Sequence, residues 1–230
     1  MVAAFIVIPL LLAAAFVWGI AWSWQRSGAA PRATVRAAAF AALGATGWMS
    51  ATWIAAQSGL LRRWDHVPPP FGLLVLAIVL LAFLLAFTTP GRRLAQFVPL
   101  WALVAVQAFR LPLELAMHGL YEHGIMPGQM TYTGRNFDIL TGVSAVIVAV
   151  VAARGRGRVL VTAWNVIGLA LLMNVVTIAI LSTPTFRYFG EDRLNVFVTS
   201  TPYVWLPAVM VLAALAGHLM IFRAVRLQSR

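Results

Sequence analysis

The residues best suited to chemistry are concentrated in one stretch of the chain, residues 109–140. Three of the six acidic residues, two of the four histidines and two of the seventeen arginines lie in it. Outside this stretch the sequence consists mainly of apolar runs joined by short basic connectors. A site that needs ionisable side chains is therefore predicted here. Its charged and imidazole residues are Arg110, Glu114, His118, Glu122, His123, Arg135 and Asp138.

Two carboxylates and two histidines of this stretch have the ligand chemistry of a divalent metal site. Neutral imidazole and carboxylate suit Zn, Mn or Fe. A Glu-x-x-x-His spacing, as in Glu114 and His118, also places both side chains on one helix face. The spacing differs from the H-E-x-x-H signature of zinc proteases. A metal ion is thus one hypothesis, and its candidate ligands are Glu114, His118, Glu122 and His123.

The composition indicates that these residues sit in a membrane protein. Hydrophobic residues make up 62% of the chain and charged residues only 10%, whereas soluble proteins average roughly 25% charged. The net charge of +11 comes from arginines between apolar runs, where anionic lipid headgroups explain them without a nucleic-acid partner. The chain has no lysine, which excludes a retinal Schiff base. It has no cysteine, which excludes disulfides and thiolate metal sites.

Seven segments are apolar and long enough to be predicted as transmembrane helices. We therefore expect an all-α integral membrane bundle that forms a single domain of residues 1–230, in contact with the lipid bilayer. The predicted spans are 3–22, 37–60, 71–88, 94–118, 137–153, 159–182 and 202–222.

The distribution of arginines predicts how this bundle is oriented. The connectors after the first, third and fifth spans, together with the C-terminal tail, hold 11 arginines, and the other three connectors hold 5. All the acidic residues of the connectors lie on the arginine-poor side. Because cytoplasmic connectors are enriched in arginine, we predict an N-terminus outside and a C-terminus in the cytoplasm. No positive charge precedes the first span, so we expect a retained helix and not a signal peptide.

This topology suggests an outward-opening polar pocket as a second hypothesis. A fourth helix that begins near Leu94 places Arg110 about 24 Å along it, close to the outer edge of the hydrocarbon. Glu114 and His118 follow on nearly the same face, and Gln107 precedes Arg110 by one turn. Ionisable residues at membrane depth normally face protein or water. The simpler alternative is an Arg110–Glu114 ion pair that satisfies itself at the interface.

Four further polar residues have both a structural and a functional interpretation. Asn136 can cap the fifth helix and Asp138 can complement its dipole, or Asp138 can pair with one of the two nearby arginines. Asn174 lies at a depth similar to that of Arg110 and is expected to make an interhelical hydrogen bond. His218 is predicted to be an interfacial residue at the cytoplasmic end of the last span, too far away to share a site.

The run FRLPLELAMHGLYEHGIMPGQMTYTGRNFDILTG, residues 109–142, resembles a segment of small multi-pass bacterial inner-membrane proteins of unassigned function. The resemblance covers mainly the fourth and fifth predicted spans. It implies a location in the bacterial inner (cytoplasmic) membrane. It also implies a shared feature at Glu114, His118, Asn136 and Asp138, but no particular activity.

Three functions are compatible with these residues. The favoured one is binding or transport of a small polar or anionic solute, in which Arg110 holds the anion and Glu114 and His118 couple a proton. The second is a membrane-embedded enzyme, metal-dependent in one version, with His118 or Glu114 as general base. The third is a structural or assembly subunit of a membrane complex. The candidate ligand-binding residues are Gln107, Arg110, Glu114, His118, Asn136, Asp138 and Asn174.

Overall fold

The computed structural model describes residues 1–155 and 157–228, and this part of the chain contains helices but no strand. The prediction of an all-α protein is therefore confirmed for the described residues. The α-helices are α1 (Ala4–Arg26), α2 (Pro31–Gln57), α3 (Pro70–Phe87), α4 (Thr89–Phe97), α5 (Leu100–Val106), α6 (Arg110–Glu122), α7 (Ile139–Ala153), α8 (Arg158–Leu181) and α9 (Leu212–Leu227).

Five helical segments of the described chain are long and apolar enough to cross a membrane. Two of them combine shorter elements: a 3₁₀ turn joins α5 to α6, and a π-helical segment, Leu206–Val211, leads into α9. The helices α2 and α7 coincide with two further predicted spans but are not among the five, and α7 has only 15 residues. The five segments are Ala4–Arg26, Pro70–Phe87, Leu100–Glu122, Arg158–Leu181 and Leu206–Leu227.

The prediction that one continuous fourth span begins at residue 94 was wrong. Residues 94–97 belong to the separate helix α4, and the chain is extended at Val98 before a new helix begins at Leu100. Pro99 explains the break, because proline disfavours the helical conformation in the residue before it and lacks an N–H group. Arg110 consequently lies near the middle of the segment Leu100–Glu122, about 15 Å from its start.

Helix α9 forms the centre of the bundle. It packs against α3, α4, α5 and α8, and it is more buried than the other four candidate spans. Helix α7 packs against α5 and α6. The contact with α6 is a contact of backbones, since a Cβ atom at Gly142 would collide with the backbone at Arg110 and Leu111. Glycine therefore sets how closely the start of α7 approaches the middle of the α5–α6 segment.

The connectors that are rich in arginine meet at one end of the bundle. Arg93, next to the break between α4 and α5, donates to the Ser27 hydroxyl at 2.9 Å and lies over the ring of Trp24. The C-terminal Gln228 donates to the carbonyl of Ala95 at 2.9 Å and accepts from Arg158. The three basic connectors and the tail thus share one end.

Candidate functional site

Four polar side chains form a buried cluster where the middle of the α5–α6 segment meets the start of α7. None is more than 4% exposed, which is unusual for charged residues in any protein. All four were candidates from the sequence. We refer to Arg110, Glu114, Asn136 and Asp138 as the buried cluster.

Asp138 is the charged partner of Arg110. Nη1 of Arg110 lies 2.7 Å from Oδ1 of Asp138 and 3.4 Å from the carbonyl oxygen of Gly168 in α8. The hydroxyl of Thr141 donates to the same Asp138 oxygen at 3.2 Å. Asp138 therefore pairs with an arginine, which was one of the two interpretations of this residue. The described residues contain no ion pair between Arg110 and Glu114.

Asn136 is the partner of Glu114. Its Nδ2 donates to Oε1 of Glu114 at 2.9 Å, to Oε2 at 2.8 Å and to the carbonyl of Met130 at 3.0 Å. Its Oδ1 accepts from the backbone N–H of Asp138 at 2.9 Å. Asn136 therefore bonds a backbone N–H just before α7, but it is not the N-cap of this helix as predicted, because the helix begins at Ile139 and Asp138 is its N-cap. Its side chain links the carboxyl group of Glu114 to the backbone N–H of Asp138.

The irregular segment between α6 and α7 brings Asn136 back to the level of Glu114. The Asn136 N–H donates to the carbonyl of Thr131 at 3.1 Å. Gly134 lies against the backbone at Gly128, where a Cβ atom would not fit. The side chain of Gln129 donates to the Ser182 hydroxyl at 2.9 Å and so ties the segment to the end of α8. Non-helical backbone at this depth is tolerated where protein buries it.

Several polar atoms around the buried cluster have no hydrogen-bond partner within the described part of the chain. Two belong to the guanidinium of Arg110, at Nε and Nη2, and another is Oε1 of Gln107. An unsatisfied buried donor or acceptor costs about 1–3 kcal/mol, so a native protein that keeps several needs a reason. The guanidinium has five N–H donors, and Asp138 and Gly168 engage only its Nη1.

His218 is not interfacial, and this prediction was wrong. Its side chain is fully buried, and Nδ1 is hydrogen-bonded to Oδ1 of Asn165 at 2.7 Å. Its ring lies against Gly168, the residue whose carbonyl accepts from Arg110. The error arose because α9 continues to Leu227, which moves His218 inward from the helix end. Glycine at position 168 then leaves room for the imidazole.

The proposed metal ligands are not assembled into one site. Glu114 is engaged by Asn136, whereas His118 lies outside the cluster with its ring 4.7 Å from that of Tyr132 and its Nε2 3.6 Å from Glu122. His123 donates to a backbone carbonyl of α6 at 2.9 Å. In residues 1–155 and 157–228 no group of three or more acidic or histidine side chains is placed to hold a metal ion.

Two other candidates are not hydrogen-bonded to the buried cluster. Gln107 is fully buried, but its amide donates to the carbonyl of Ala214 at 3.4 Å and packs against Gly217 of α9. Asn174 is exposed and donates to the backbone carbonyl of Arg135 at 2.8 Å. Its bond joins α8 to the non-helical segment between α6 and α7, so it is not the interhelical hydrogen bond that the sequence predicted.

A cavity of about 110 Å³ borders the buried cluster. It lies between α3, α6, α8 and the π-helical segment, and Arg110, Glu114 and Asp138 contribute its charged lining. Asn195 also lines it, with an Oδ1 atom that lacks a partner among the described residues. The remaining lining is apolar. The π-helical wall is held from outside, since the indole N–H of Trp48 donates to the carbonyl of Ala208 at 2.7 Å.

A second and larger pocket, of about 640 Å³, lies among the connectors at the arginine-poor end. It is polar, and Gln129, Arg135, Asp192 and Arg193 are part of its lining. None of Gln107, Arg110, Glu114 and His118 lines it. The sequence predicted one polar pocket, whereas the described residues have two separate spaces. One is the polar pocket at the arginine-poor end, which we call the outer polar pocket. The other is the cavity with apolar walls at the buried cluster.

Comparisons with known proteins identify a family but no activity. Residues 68–226 match the model described as Domain of unknown function (DUF8737). This range contains the buried cluster, its cavity and all of α3 to α8. Neither the curated proteins nor the solved structures contain a significant match to the chain.

Proposed function

The chain belongs to the DUF8737 family, and we propose that it is a membrane protein that binds an acidic solute at the buried cluster together with a proton. In this proposal α2 crosses the bilayer with the five long apolar segments, and α7 together with the irregular segment before it forms a seventh, discontinuous span. The arginine-rich end faces the cytoplasm and the N-terminus lies outside. The membrane is the cytoplasmic membrane of a bacterium, as the resemblance over residues 109–142 implies.

The observation that carries this proposal is the state of Arg110. A charged side chain at the middle of a membrane span is costly and usually serves a function. Arg110 is 1% exposed, and Asp138 engages one end of its guanidinium while Nε and Nη2 keep N–H groups free of any described partner. A planar guanidinium with free N–H groups binds a carboxylate, sulfonate or phosphate well.

Charge balance couples this binding to protons. The buried cluster has one cationic side chain and two carboxyl groups, and a bound acid would be the third acidic group beside one arginine. Several unpaired negative charges cannot share a buried site. A bound anion therefore requires that one carboxyl group of the buried cluster be protonated. We assign this proton to Glu114, because Asp138 has the arginine and Glu114 has only the neutral amide of Asn136.

The geometry also favours movement of the solute over permanent retention. Helix α7 has 15 residues, about 22 Å, and its N-terminus lies beside Arg110 in the middle of the α5–α6 segment. Discontinuous helices that begin near the bilayer centre are a feature of solute sites in transporters. The 3₁₀ turn between α5 and α6 and the π-helical segment before α9 are further irregularities at the same level.

The proposal is tested with methanesulfonate, an anion that stays ionised near neutral pH. Its affinity for the intact chain in phosphatidylcholine nanodiscs would be measured between pH 6 and 10. We expect affinity to stay constant while Glu114 of the free protein is protonated, and to fall by up to about tenfold per pH unit above the pH at which Glu114 ionises. Glu114→Gln should bind with an affinity that no longer depends on pH, since glutamine resembles the protonated side chain.

Two further variants complete this test. Arg110→Gln should lose binding, whereas Glu122→Gln, at an exposed position on the same helix, should retain both the affinity and its pH dependence. Binding that survives the loss of Arg110, or a pH dependence that persists unchanged in Glu114→Gln, contradicts the proposal.

A further inference from the structure

The walls of the cavity at the buried cluster are unsuited to a fully hydrated ion. Beyond Arg110, Glu114, Asp138 and Asn195, every residue that lines it is apolar. Such walls offer no hydrogen bonds to replace the water that a small polar solute would lose. They do stabilise an alkyl chain, at roughly 25 cal/mol for each Å² removed from water.

We propose that the solute is an amphiphile with one alkyl chain and an acidic head. The head binds the free N–H groups of Arg110, and the chain occupies the apolar cavity. This inference rests on the proposed function, because it uses the same arginine. Asn195 supplies an independent indication that a ligand belongs here: it is 1% exposed, it lines the same cavity, and its Oδ1 has no partner among the described residues.

The side chains of the lining are adapted to chains of varied shape. Four of the eight methionines of the protein line this cavity. Methionine is unbranched and flexible, and it is over-used on surfaces that accept varied apolar ligands. We therefore expect selection for the acidic head and for an alkyl chain, and little selection among chains of similar length. The four residues are Met117, Met130, Met173 and Met210.

The exposure of one lining residue indicates that the cavity is entered from the side of the bundle. Met173 of α8 lines the cavity and is also 49% exposed, on a helix that is itself long and apolar enough to span a membrane. The outer polar pocket shares no lining residue with the cavity. An amphiphile dissolved in the bilayer would thus reach Arg110 between α3 and α8 without passing through the outer connectors.

A series of alkanesulfonates from methane- to octanesulfonate tests this inference with a constant head. In phosphatidylcholine nanodiscs we expect affinity for the wild type to rise by about three- to fourfold per CH₂ group until the cavity is filled. Ala179→Phe, which fills the cavity from α8, should flatten this rise. Val176→Phe is a second variant of the same wall and serves if the first does not fold. Ala39→Phe, at an exposed position of α2 that does not line the cavity, is the matched control.

The outcomes separate this inference from the proposed function. If methanesulfonate binds through Arg110 but affinity does not rise with chain length, or rises equally in both cavity-filling variants, the amphiphile is excluded and the proposed function stands. If no alkanesulfonate binds the wild type, the proposed function itself fails. A rise in the wild type that is lost in Ala179→Phe and kept in Ala39→Phe supports both.

The head and chain could also come from an anionic phospholipid of the bilayer, and one more measurement distinguishes this source. Octanesulfonate binding would be repeated in nanodiscs that contain phosphatidylglycerol. If the site takes a single-chain amphiphile, its affinity for octanesulfonate should be unchanged after correction for surface charge. Ala179→Phe in the same nanodiscs provides the reference for that correction. Competition by phosphatidylglycerol that disappears in Ala179→Phe would overturn the single-chain assignment.

Discussion

Two arginine–carboxylate pairs in this protein have nearly the same length and opposite surroundings. Arg110 and Asp138 lie 2.7 Å apart with side chains 1% and 6% exposed, whereas Arg187 and Glu191 lie 2.6 Å apart with side chains 57% and 67% exposed. Exposed pairs contribute about 0–1 kcal/mol to stability. Breaking a buried pair by removing one partner costs about 3–5 kcal/mol. The distance between the charges is therefore a poor measure of what a pair contributes to stability, because this contribution depends on burial.

The two pairs also differ in what surrounds them. Arg187 and Glu191 are four residues apart in one connector, so their contact is local and hydrated. Arg110 and Asp138 are 28 residues apart, and their contact depends on the approach of α7 to α6. The buried pair adjoins a second buried carboxyl group, lines a cavity and keeps N–H groups without a partner among the described residues, whereas Arg187 and Glu191 line neither the cavity nor the outer polar pocket. Function is therefore assigned to the buried one.

The largest difference is expected when the arginine of each pair is replaced. Arg110→Met leaves Asp138 buried without its cation and should lower the free energy of unfolding by about 3–5 kcal/mol. Arg187→Met should change it by less than about 1 kcal/mol. Reversible unfolding in mixed detergent micelles measures both. Equal costs for the two substitutions would show that the Arg110–Asp138 pair is hydrated, and would contradict the burial on which the comparison rests.

A smaller effect is expected from Asn136 and Asn174, which donate across elements in the buried cluster and at an exposed position. Asn136→Ala removes the amide that bonds both oxygens of Glu114 and should cost about 1.5–3 kcal/mol, as for a hydrogen bond to a charged group. Asn174→Ala removes one exposed bond to a backbone carbonyl and should cost less than about 1 kcal/mol. The same unfolding measurement applies. A larger loss of unfolding free energy at Asn174 than at Asn136 would show that the connectors stabilise the fold more than the buried cluster does, and would contradict the comparison.

Glycine substitutions probe the helix contact that forms the buried pair. Gly142→Ala places a Cβ against the backbone of α6, which cannot yield as a side chain can, and should cost about 1–3 kcal/mol. It should also weaken methanesulfonate binding, because it displaces Asp138 relative to Arg110. Gly44→Ala in α2 is the control, since its Cβ meets no atom within 4 Å, and it should gain up to about 1 kcal/mol. A harmless Gly142→Ala would show that the two helices are not in backbone contact.

The sequence indicates the helices of this protein better than it indicates their contacts. Long apolar runs were enough to indicate a helical chain with several long apolar segments, but not the separate helix α4 or the π-helical segment, and the pairing of Asp138 with an arginine was open as an alternative. The break at Val98–Pro99 has a signal in the proline itself, but the apolar run on both sides of it favours one continuous helix. A continuous helix from Leu94 places Arg110 too far from the start of its helix.

Other features depend on tertiary packing and could not be derived from spacing. The role of His218 depends on Gly168 and Asn165 in another helix. The only sequence signal for this contact is that Asn165 and His218 are polar residues in otherwise apolar segments. The cavity depends on how α3 and α8 lie against the π-helical segment. The residue pattern of a single helix cannot predict a cavity that several helices enclose. For the same reason the sequence could not predict that the outer polar pocket and the cavity are separate.

The central claim is that the buried cluster binds an acid together with a proton, and counting that proton is its most direct test. Methanesulfonate would be titrated into the wild type and into Glu114→Gln at several pH values between 6 and 10, by calorimetry in buffers with different heats of ionisation. The slope of binding enthalpy against buffer ionisation enthalpy gives the number of protons taken up. For the wild type we expect this number to rise from near zero to about one as the pH passes the value at which Glu114 of the free protein ionises, and for Glu114→Gln we expect none at any pH. Binding to the wild type without proton uptake at any of these pH values would contradict the claim.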